Sequence, residues 1–348
     1  MHCHAGVASI QNLADFALEM KVLNALFLTL ICGATQSFAE GSGGDARTIN
    51  HNPEDVRIIT SDIENFWRAY DMARPDNRAT VFQQEYFDKA SDGLRAFKRA
   101  RIDQCSLVET LARHPLYYAS IRESTLRVKS MEAPILASFR KFKSLYDPAV
   151  FPDVYFLIGC LNSGGTTADA GLLIGAEMYG RTSVTPENEL DEWLKQVLKP
   201  VELIPHIVAH ELTHYQQKYP NGKRTLLGES IREGSADFIA ELISGKHINT
   251  HLHDYGDPRE RELWVEFKRD MNRLIKTNWL YNGSAARGRP ADLGYYVGYK
   301  ICQAAYRSAK NEQQAVKEIL EIKDYNQFLT NSGYERKFDN LRQTPSQR

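Results

Sequence analysis

Apolar residues recur at helical spacing along most of the chain. Residues 52–147 show this period, and they predict a helical N-terminal region without a detectable internal repeat. Similar patterns near residues 260–276, 291–309 and 312–322 predict that the C-terminal half is also helical. The chain is therefore expected to be mostly helical.

Two short apolar runs interrupt the helical pattern near the middle of the chain. Residues 154–159 and 171–175 are bounded by turn residues and predict strands, whereas residues 164–167 between them predict a loop. A small sheet among helices gives an α+β fold. We divide the chain into a signal-containing segment 1–39, a helical region 40–150 and a region 151–348 that carries the sheet and the candidate chemistry.

The run His210-Glu211-Leu212-Thr213-His214 carries the strongest chemical signal. Pro205, the apolar spacing around it and the stop at residues 219–222 place this run on a helix predicted over 205–218. Residues four apart share a helix face, so both imidazoles can bind one tetrahedral zinc ion. Glu211 then stands where a metal-bound water needs a general base.

Two histidines do not complete a catalytic zinc site, and Glu233 is the third ligand that the sequence offers. It follows His214 after 18 intervening residues, in a segment that predicts a second helix running towards Gly245. An alternative is that Ser230 and Glu233 form a capping box, in which Glu233 only accepts a backbone N–H at the helix start. The small residues 234–236 favour instead the close packing of two helices around an ion.

Together, H-E-L-T-H, the 18-residue gap and E-G-S-A-D resemble the gluzincin zinc metallopeptidases. The span 155–299 resembles, by motif order, the bacterial proteins described as predicted zinc-dependent proteases. The resemblance implies a zincin-like core in which His210, His214 and Glu233 bind one Zn²⁺ per chain. It also implies that Glu211 acts as the general base.

The same resemblance implies supporting roles for residues around the metal. Asp237, four residues after Glu233, would accept a hydrogen bond from a zinc-binding histidine; its alternative role is that of an acid near a helix N-terminus. Tyr295 matches a Tyr-x-x-Gly pattern and would stabilise an oxyanion, with Tyr296 and Tyr299 as open alternatives. Residues 171–178 would form the edge strand that pairs with an extended peptide.

Other histidines are weaker candidates for metal binding. A metzincin site needs a glycine and a histidine where this chain has Gln217 and Pro220, so that class is excluded. His206 is expected either to be solvated or to hydrogen-bond to a metal ligand without binding the metal itself. Three further histidines lie close together in the sequence, at irregular spacing and among polar residues: His247, His251 and His253. They are expected to lie in a solvated loop and not to form a second metal site.

The N-terminus predicts export. Met20-Lys21, the apolar run 22–31 and Ser37-Phe38-Ala39 form a secretory signal with cleavage after Ala39, and translation from Met20 is an alternative start. The chain is therefore expected to be periplasmic or secreted. Ile31 is too large for a lipid-attachment motif at Cys32, and the apolar run is too short to span a bilayer, so we expect no stable membrane anchor.

The charge balance limits the classes of partner, and the cysteine count limits the number of disulfides. With 43 basic and 44 acidic residues and no basic stripe, the chain is not expected to bind nucleic acid. After export three cysteines remain, so at most one disulfide forms among them and its pairing stays open; they are Cys105, Cys160 and Cys302. The oligomeric state is open.

These observations predict an exported zinc-dependent peptidase acting on a peptide or protein substrate through a Glu-activated zinc-bound water. One alternative is a catalytically silent protein that keeps the zincin fold for binding. Another is a zinc hydrolase of a non-peptide amide or ester, because the same chemistry does not specify the acyl donor.

Overall fold

A mixed sheet of four strands organises the part of the chain that the computed structural model describes, residues 49–339. The strand order is β1-β2-β4-β3, and the strands are β1 (Ile58–Ile59), β2 (Val154–Leu157), β3 (Gly165–Ala168) and β4 (Gly171–Gly175). Strands β1, β2 and β4 are parallel, and β3 runs antiparallel to β4. Every residue of β2 and β4 is buried, as expected for parallel strands that are covered on both faces.

The strand predictions are confirmed for β2 and β4, except that β2 ends two residues early, but they are wrong for the segment between them. The expected loop at 164–167 contains most of β3, whose Gly165 and Thr166 lie opposite Ile174 and Leu173 of β4. Strand β4, expected to form an edge, therefore lies inside the sheet, and β3 is the edge strand. A Cβ atom on Gly165 would overlap the Glu211 carboxylate, so the glycine lets this side chain lie against β3.

Seven α-helices of the described chain lie between β1 and β2, as the helical period predicted. They are α1 (Ser61–Met72), α2 (Arg78–Phe82), α3 (Asp92–Ala100), α4 (Leu107–Arg113), α5 (Pro115–Ser120), α6 (Arg122–Leu126) and α7 (Glu132–Leu145). Buried aromatic residues join this layer to the sheet. The Tyr86 hydroxyl, for example, donates to the Ile158 carbonyl over 2.7 Å.

Nine more α-helices follow β4 within the described residues. They are α8 (Glu192–Val197), α9 (Ile204–Gln216), α10 (Leu226–Ser244), α11 (Thr250–Gly256), α12 (Glu260–Asp270), α13 (Leu293–Ser308), α14 (Glu312–Leu320), α15 (Tyr325–Ser332) and α16 (Arg336–Asp339). The fold is thus mostly helical with a small mixed sheet, which agrees with the α+β class. The proposed division at residue 150 stays a prediction.

Helices α10 and α13 approach each other so closely that their backbones touch. A Cβ atom on Gly234 would overlap the backbone of Gly298 and Tyr299, and a Cβ atom on Gly298 would overlap the Ser230 carbonyl. Only glycine fits such a contact, because any other side chain would force the helices apart. This contact fixes α10 relative to α13.

One disulfide is present among the described residues. Cys105 and Cys160 are bonded, which links the segment before α4 to the segment after β2, and Cys302 is a buried free thiol. Burial raises the pKa of the Cys302 thiol. The expectation of at most one disulfide is confirmed, and the structure resolves the pairing that the sequence left open.

Within residues 49–339, no helix combines the length and the apolar character that crossing a membrane requires. The expected signal at Met20–Ala39, the alternative start at Met20 and the assignment of Cys32 lie outside the described residues.

Candidate metal centre

Helix α9 carries the H-E-x-x-H motif on one face. It begins at Ile204 with Pro205 in its first turn and ends at Gln216, two residues before the predicted end. Its apolar side is fully buried, which fixes the rotation of the helix and turns the two histidines towards α10. The ring centroids of His210 and His214 lie 4.7 Å apart.

Helix α10 carries Glu233 in its interior. The helix begins at Leu226, its N-cap is Thr225, and its end is marked by Gly245 in the left-handed conformation with φ 85°. Ser230 and Glu233 therefore lie beyond the first turn, and the capping-box alternative for Glu233 is wrong. Asp237 lies deeper still, so its alternative role as an acid near a helix N-terminus is wrong as well.

Three ligand atoms converge between α9 and α10. His214 Nε2 lies 3.1 Å and His210 Nε2 lies 3.8 Å from the same Glu233 oxygen, Oε2. Among the described residues, these three side chains form the one group of His, Cys, Asp or Glu side chains whose ligand atoms all lie within 4.8 Å of one another. Ligand atoms around a tetrahedral zinc ion with bonds of about 2.0–2.1 Å are separated by about 3.3 Å. The spacing therefore fits one zinc ion.

Hydrogen bonds orient both imidazoles with Nε2 facing the site. His210 donates from Nδ1 to Asp237 Oδ1 over 2.8 Å, and the other Asp237 oxygen accepts from Asn249 over 2.8 Å. His214 Nδ1 lies 3.0 Å from Gln217 Oε1, and only a protonated Nδ1 can bond to an amide oxygen. This leaves both Nε2 atoms unprotonated in the neutral rings, as metal binding requires.

The amide of Gln217 is itself fixed in orientation. Its Nε2 donates to the Arg232 carbonyl over 2.7 Å and to Ser235 Oγ over 2.9 Å, so Oε1 must face His214. From the sequence alone, Gln217 only excluded a metzincin site, and its contact with His214 was not predicted. The signal available was its position three residues after a candidate ligand.

Neighbouring charges shift the pKa values of two of the candidate ligands. Burial alone would lower the pKa of His210, but the hydrogen bond and the charge of Asp237 raise it to about 9. Burial opposes ionisation of Glu233, but the positive charges of His214 and Arg232 hold the pKa of this carboxyl well below its usual range. The other oxygen of Glu233, Oε1, accepts from Arg232 and, over 3.0 Å, from Tyr281. The sequence analysis did not identify either residue.

Glu211 and Tyr295 flank the cluster from two sides. The Glu211 carboxylate lies against the backbone of Gly165 in β3, and only 9% of this residue is exposed. The Tyr295 ring is nearly parallel to that of His210, with 14° between the planes and 6.3 Å between the centroids. Burial raises the pKa of Tyr295 well above its usual range, and the negative charge of Glu233 raises it further.

The two alternative tyrosines make their hydrogen bonds elsewhere. Tyr296 donates to Asp257 over 3.1 Å, and Tyr299 donates to Glu241 over 2.6 Å. Of the three tyrosines, Tyr295 is therefore the one that the structure brings to the metal centre. His206 also lies apart, with its Nδ1 2.7 Å from Ser244 Oγ.

The expected solvated loop at His247, His251 and His253 is wrong. His251 and His253 lie in α11, and the rings of His247 and His253 are 4.2 Å apart and pack on Tyr299. His247 Nδ1 accepts the Asn249 amide N–H over 2.8 Å, so its proton sits on Nε2. That tautomer is unsuited to metal binding through Nε2, which argues against a second metal site here.

Asp237 provides a test of the site geometry. We expect Asp237→Ala to weaken zinc binding about 10–100-fold, because the variant loses the group that orients His210 and raises its basicity. Asp237→Asn is the matched control: it keeps an acceptor but not the charge, and should show a smaller loss. Competition with a zinc-binding dye measures both affinities; an unchanged affinity in the alanine variant would contradict the role.

Comparison with known proteins changes the function that is assigned to the site. A family model described as Gliding motility protein GldB matches residues 48–336. No curated protein and no solved structure matches the chain. The family is one of lipoproteins, and the chain is accordingly exported and associated with the cell envelope.

This match overturns the assignment to the gluzincin metallopeptidases. The predicted peptidase function and its description as a zinc-dependent hydrolase or protease are wrong with it. The physical reason is that H-E-x-x-H followed by a distant glutamate specifies a set of metal ligands, and a ligand set does not by itself specify a reaction. Since the match extends over most of the 348 residues, the chain belongs to the family of Gliding motility protein GldB.

Proposed function

We propose that this chain is a non-catalytic, zinc-binding protein of the cell envelope that acts in gliding motility. The observation that carries the zinc assignment is the convergence of His210, His214 and Glu233 with both imidazoles oriented by hydrogen bonds. The family match over residues 48–336 supports the motility role and favours a binding function over an enzymatic one.

Zinc would act here as a structural link. His210 and His214 belong to α9 and Glu233 belongs to α10, so an ion bound by all three joins the two helices. Structural zinc sites contribute directly to the free energy of folding. We propose that the sheet, α9 and α10 form a zincin-like core that serves as a rigid scaffold. A periplasmic location and one zinc ion per chain are parts of the same proposal.

The partner that the site fits is a protein segment in an extended conformation. Among the described strands, β3 pairs with β4 alone, so its other edge carries backbone donors and acceptors without a strand partner. An extended segment can add to such an edge by backbone hydrogen bonds, without being cleaved. Arg101 steadies the strand through Thr166 Oγ1, over 3.2 Å. That the chain does not bind nucleic acid stays a prediction.

Glu211 gives the sharpest test of the non-catalytic role. We expect Glu211→Gln to keep its zinc and to support gliding as well as the wild type, because no proton transfer by Glu211 is needed in a binding protein. Zinc-loaded wild-type protein should cleave no member of a broad peptide library. The role is contradicted if the wild type cleaves peptides and the glutamine variant does not.

A further inference from the structure

An adjacent pair of aliphatic side chains is exposed just after helix α12. Leu274 is 57% exposed and Ile275 is 69% exposed. Among the described large hydrophobic residues only Val184, at 83%, is more exposed than Ile275. Single exposed aliphatic residues are common on protein surfaces, but two in succession form an apolar patch that a partner can cover.

The backbone holds this pair in a fixed position. The Arg273 carbonyl, directly before Leu274, accepts from the Leu226 amide over 2.8 Å, and the Met271 carbonyl accepts from Leu227 over 2.8 Å. Both bonds tie the segment to the first turn of α10. The aliphatic pair is therefore presented by an anchored segment.

Basic residues flank the pair along the chain. Arg261, Val265 and Arg269 are exposed and four residues apart, so they form one stripe along α12, and this helix ends four residues before Leu274. Arg273, whose side chain is 68% exposed, directly precedes the pair and forms an ion pair with Asp270 over 2.8 Å. Lys276 follows the pair and bonds to Glu229 over 3.1 Å.

Acidic groups on the same helix offset only part of this charge. Glu266 pairs with Arg289 over 2.8 Å, and Glu260 pairs with Lys337. Glu262 is a further exposed carboxylate on this helix, and the same stretch of chain carries three exposed arginines, namely Arg259, Arg261 and Arg269. The surface is therefore apolar at its end and positively charged along its length.

We propose that the aliphatic pair Leu274–Ile275 and the arginine stripe of α12 form a surface that docks on an anionic lipid bilayer. Aliphatic side chains that project from an anchored segment can enter the boundary between headgroups and acyl chains, while neighbouring arginines contact lipid phosphates. Protein interfaces instead centre on aromatic or arginine anchors held in well-packed pockets. The two exposed aliphatic residues with flanking cations fit the lipid surface better.

Vesicle flotation of the full chain tests the proposal. Binding is measured on vesicles of phosphatidylcholine and on vesicles that also contain phosphatidylglycerol, and the ratio of the two affinities removes any background from the N-terminal segment. We expect tighter binding to the anionic vesicles, weakened by salt. Arg261→Gln and Arg269→Gln should each lower this ratio about fivefold, because one cation near an anionic membrane contributes about that factor.

The double variant Leu274→Ser/Ile275→Ser tests the apolar part. Both residues are exposed, so the variant should fold, and we expect its binding to anionic vesicles to fall about tenfold or more. Val184→Ser, which removes an exposed aliphatic residue elsewhere, and Arg99→Gln, which removes an exposed cation elsewhere, are the matched controls and should bind like the wild type.

Hydrogen exchange of the full chain on the same vesicles locates the contact. Protection of residues 271–277 on anionic but not on neutral vesicles would support the proposal. Equal binding to both compositions, or loss of binding in the controls as large as in the double variant, would overturn it. Failure to bind any vesicle would also overturn it, and would favour an acidic protein as the partner of this surface.

Discussion

Removal of zinc is expected to lower the free energy of unfolding of the wild-type protein by about 4 kcal/mol. The reference condition is a free zinc concentration about a thousand times the dissociation constant. The reason is that the ion binds the folded state, in which α9 and α10 place His210, His214 and Glu233 together, and not the unfolded chain. Thermal unfolding with and without a chelator measures this shift as a fall in Tm.

The variant Glu233→Ala separates zinc binding from other effects at the site. The substitution also removes one of the partners of Arg232 and of Tyr281, so the variant is expected to be less stable than the wild type under all conditions. Its Tm should nevertheless be the same with zinc and with chelator, because the third ligand is gone. A variant whose Tm still rises with zinc as in the wild type would contradict the three-ligand site.

Gly298→Ala is expected to destabilise the protein by about 3 kcal/mol. The added methyl group would overlap the backbone carbonyl of Ser230, and a helix backbone cannot move aside as a flexible side chain can. The overlap outweighs the gain of about 1 kcal/mol in helix propensity. Urea unfolding measures the change in the free energy of unfolding.

Gly294→Ala, one turn earlier on the same helix, is the matched control. Its added Cβ atom would lie 2.6 Å from Leu280 Cδ2 and Cγ and 2.8 Å from Ser230 Oγ, so it meets side-chain atoms and not backbone. We expect a loss of about 1 kcal/mol or less, because the helix-propensity gain offsets part of the strain. If Gly298→Ala is no less stable than Gly294→Ala, the proposed backbone contact between α10 and α13 is not rigid.

The helices that hold the candidate site could be predicted from local sequence signals. Pro205 at the start of α9 and Gly245 at the end of α10 act within one helical turn, so they are visible without knowledge of the fold. The two histidine ligands could be predicted from local signals as well, because His210 and His214 share a helix face. Glu233 required an added assumption about the packing of two helices.

Strand β3 could not be predicted because its pairing is decided by distant residues. Gly165, Thr166 and Thr167 read as a turn, but they pair with β4 and lie against Glu211 of α9. Likewise, the role of Gln217 depends on Arg232 and Ser235 in a different helix. Tertiary contacts of this kind override local propensity, and one sequence does not reveal them.

Function was the part of the sequence analysis that failed. A resemblance carried by five residues of H-E-L-T-H and by E-G-S-A-D led to a peptidase, whereas the family match spans residues 48–336. The ligand geometry and the reaction are separate properties of a site, because hydrolysis also depends on how the water, the substrate and the oxyanion are held. The short motif contains no information about those arrangements.

The zinc content of the purified full chain tests the central claim most directly. We predict about one zinc ion per wild-type chain by elemental analysis and none in Glu233→Ala prepared in the same way, because the three side chains each offer one ligand atom and these atoms lie within 4.8 Å of one another. A wild-type chain that stays free of zinc under zinc-replete conditions would contradict the account, and so would a variant that retains the full amount.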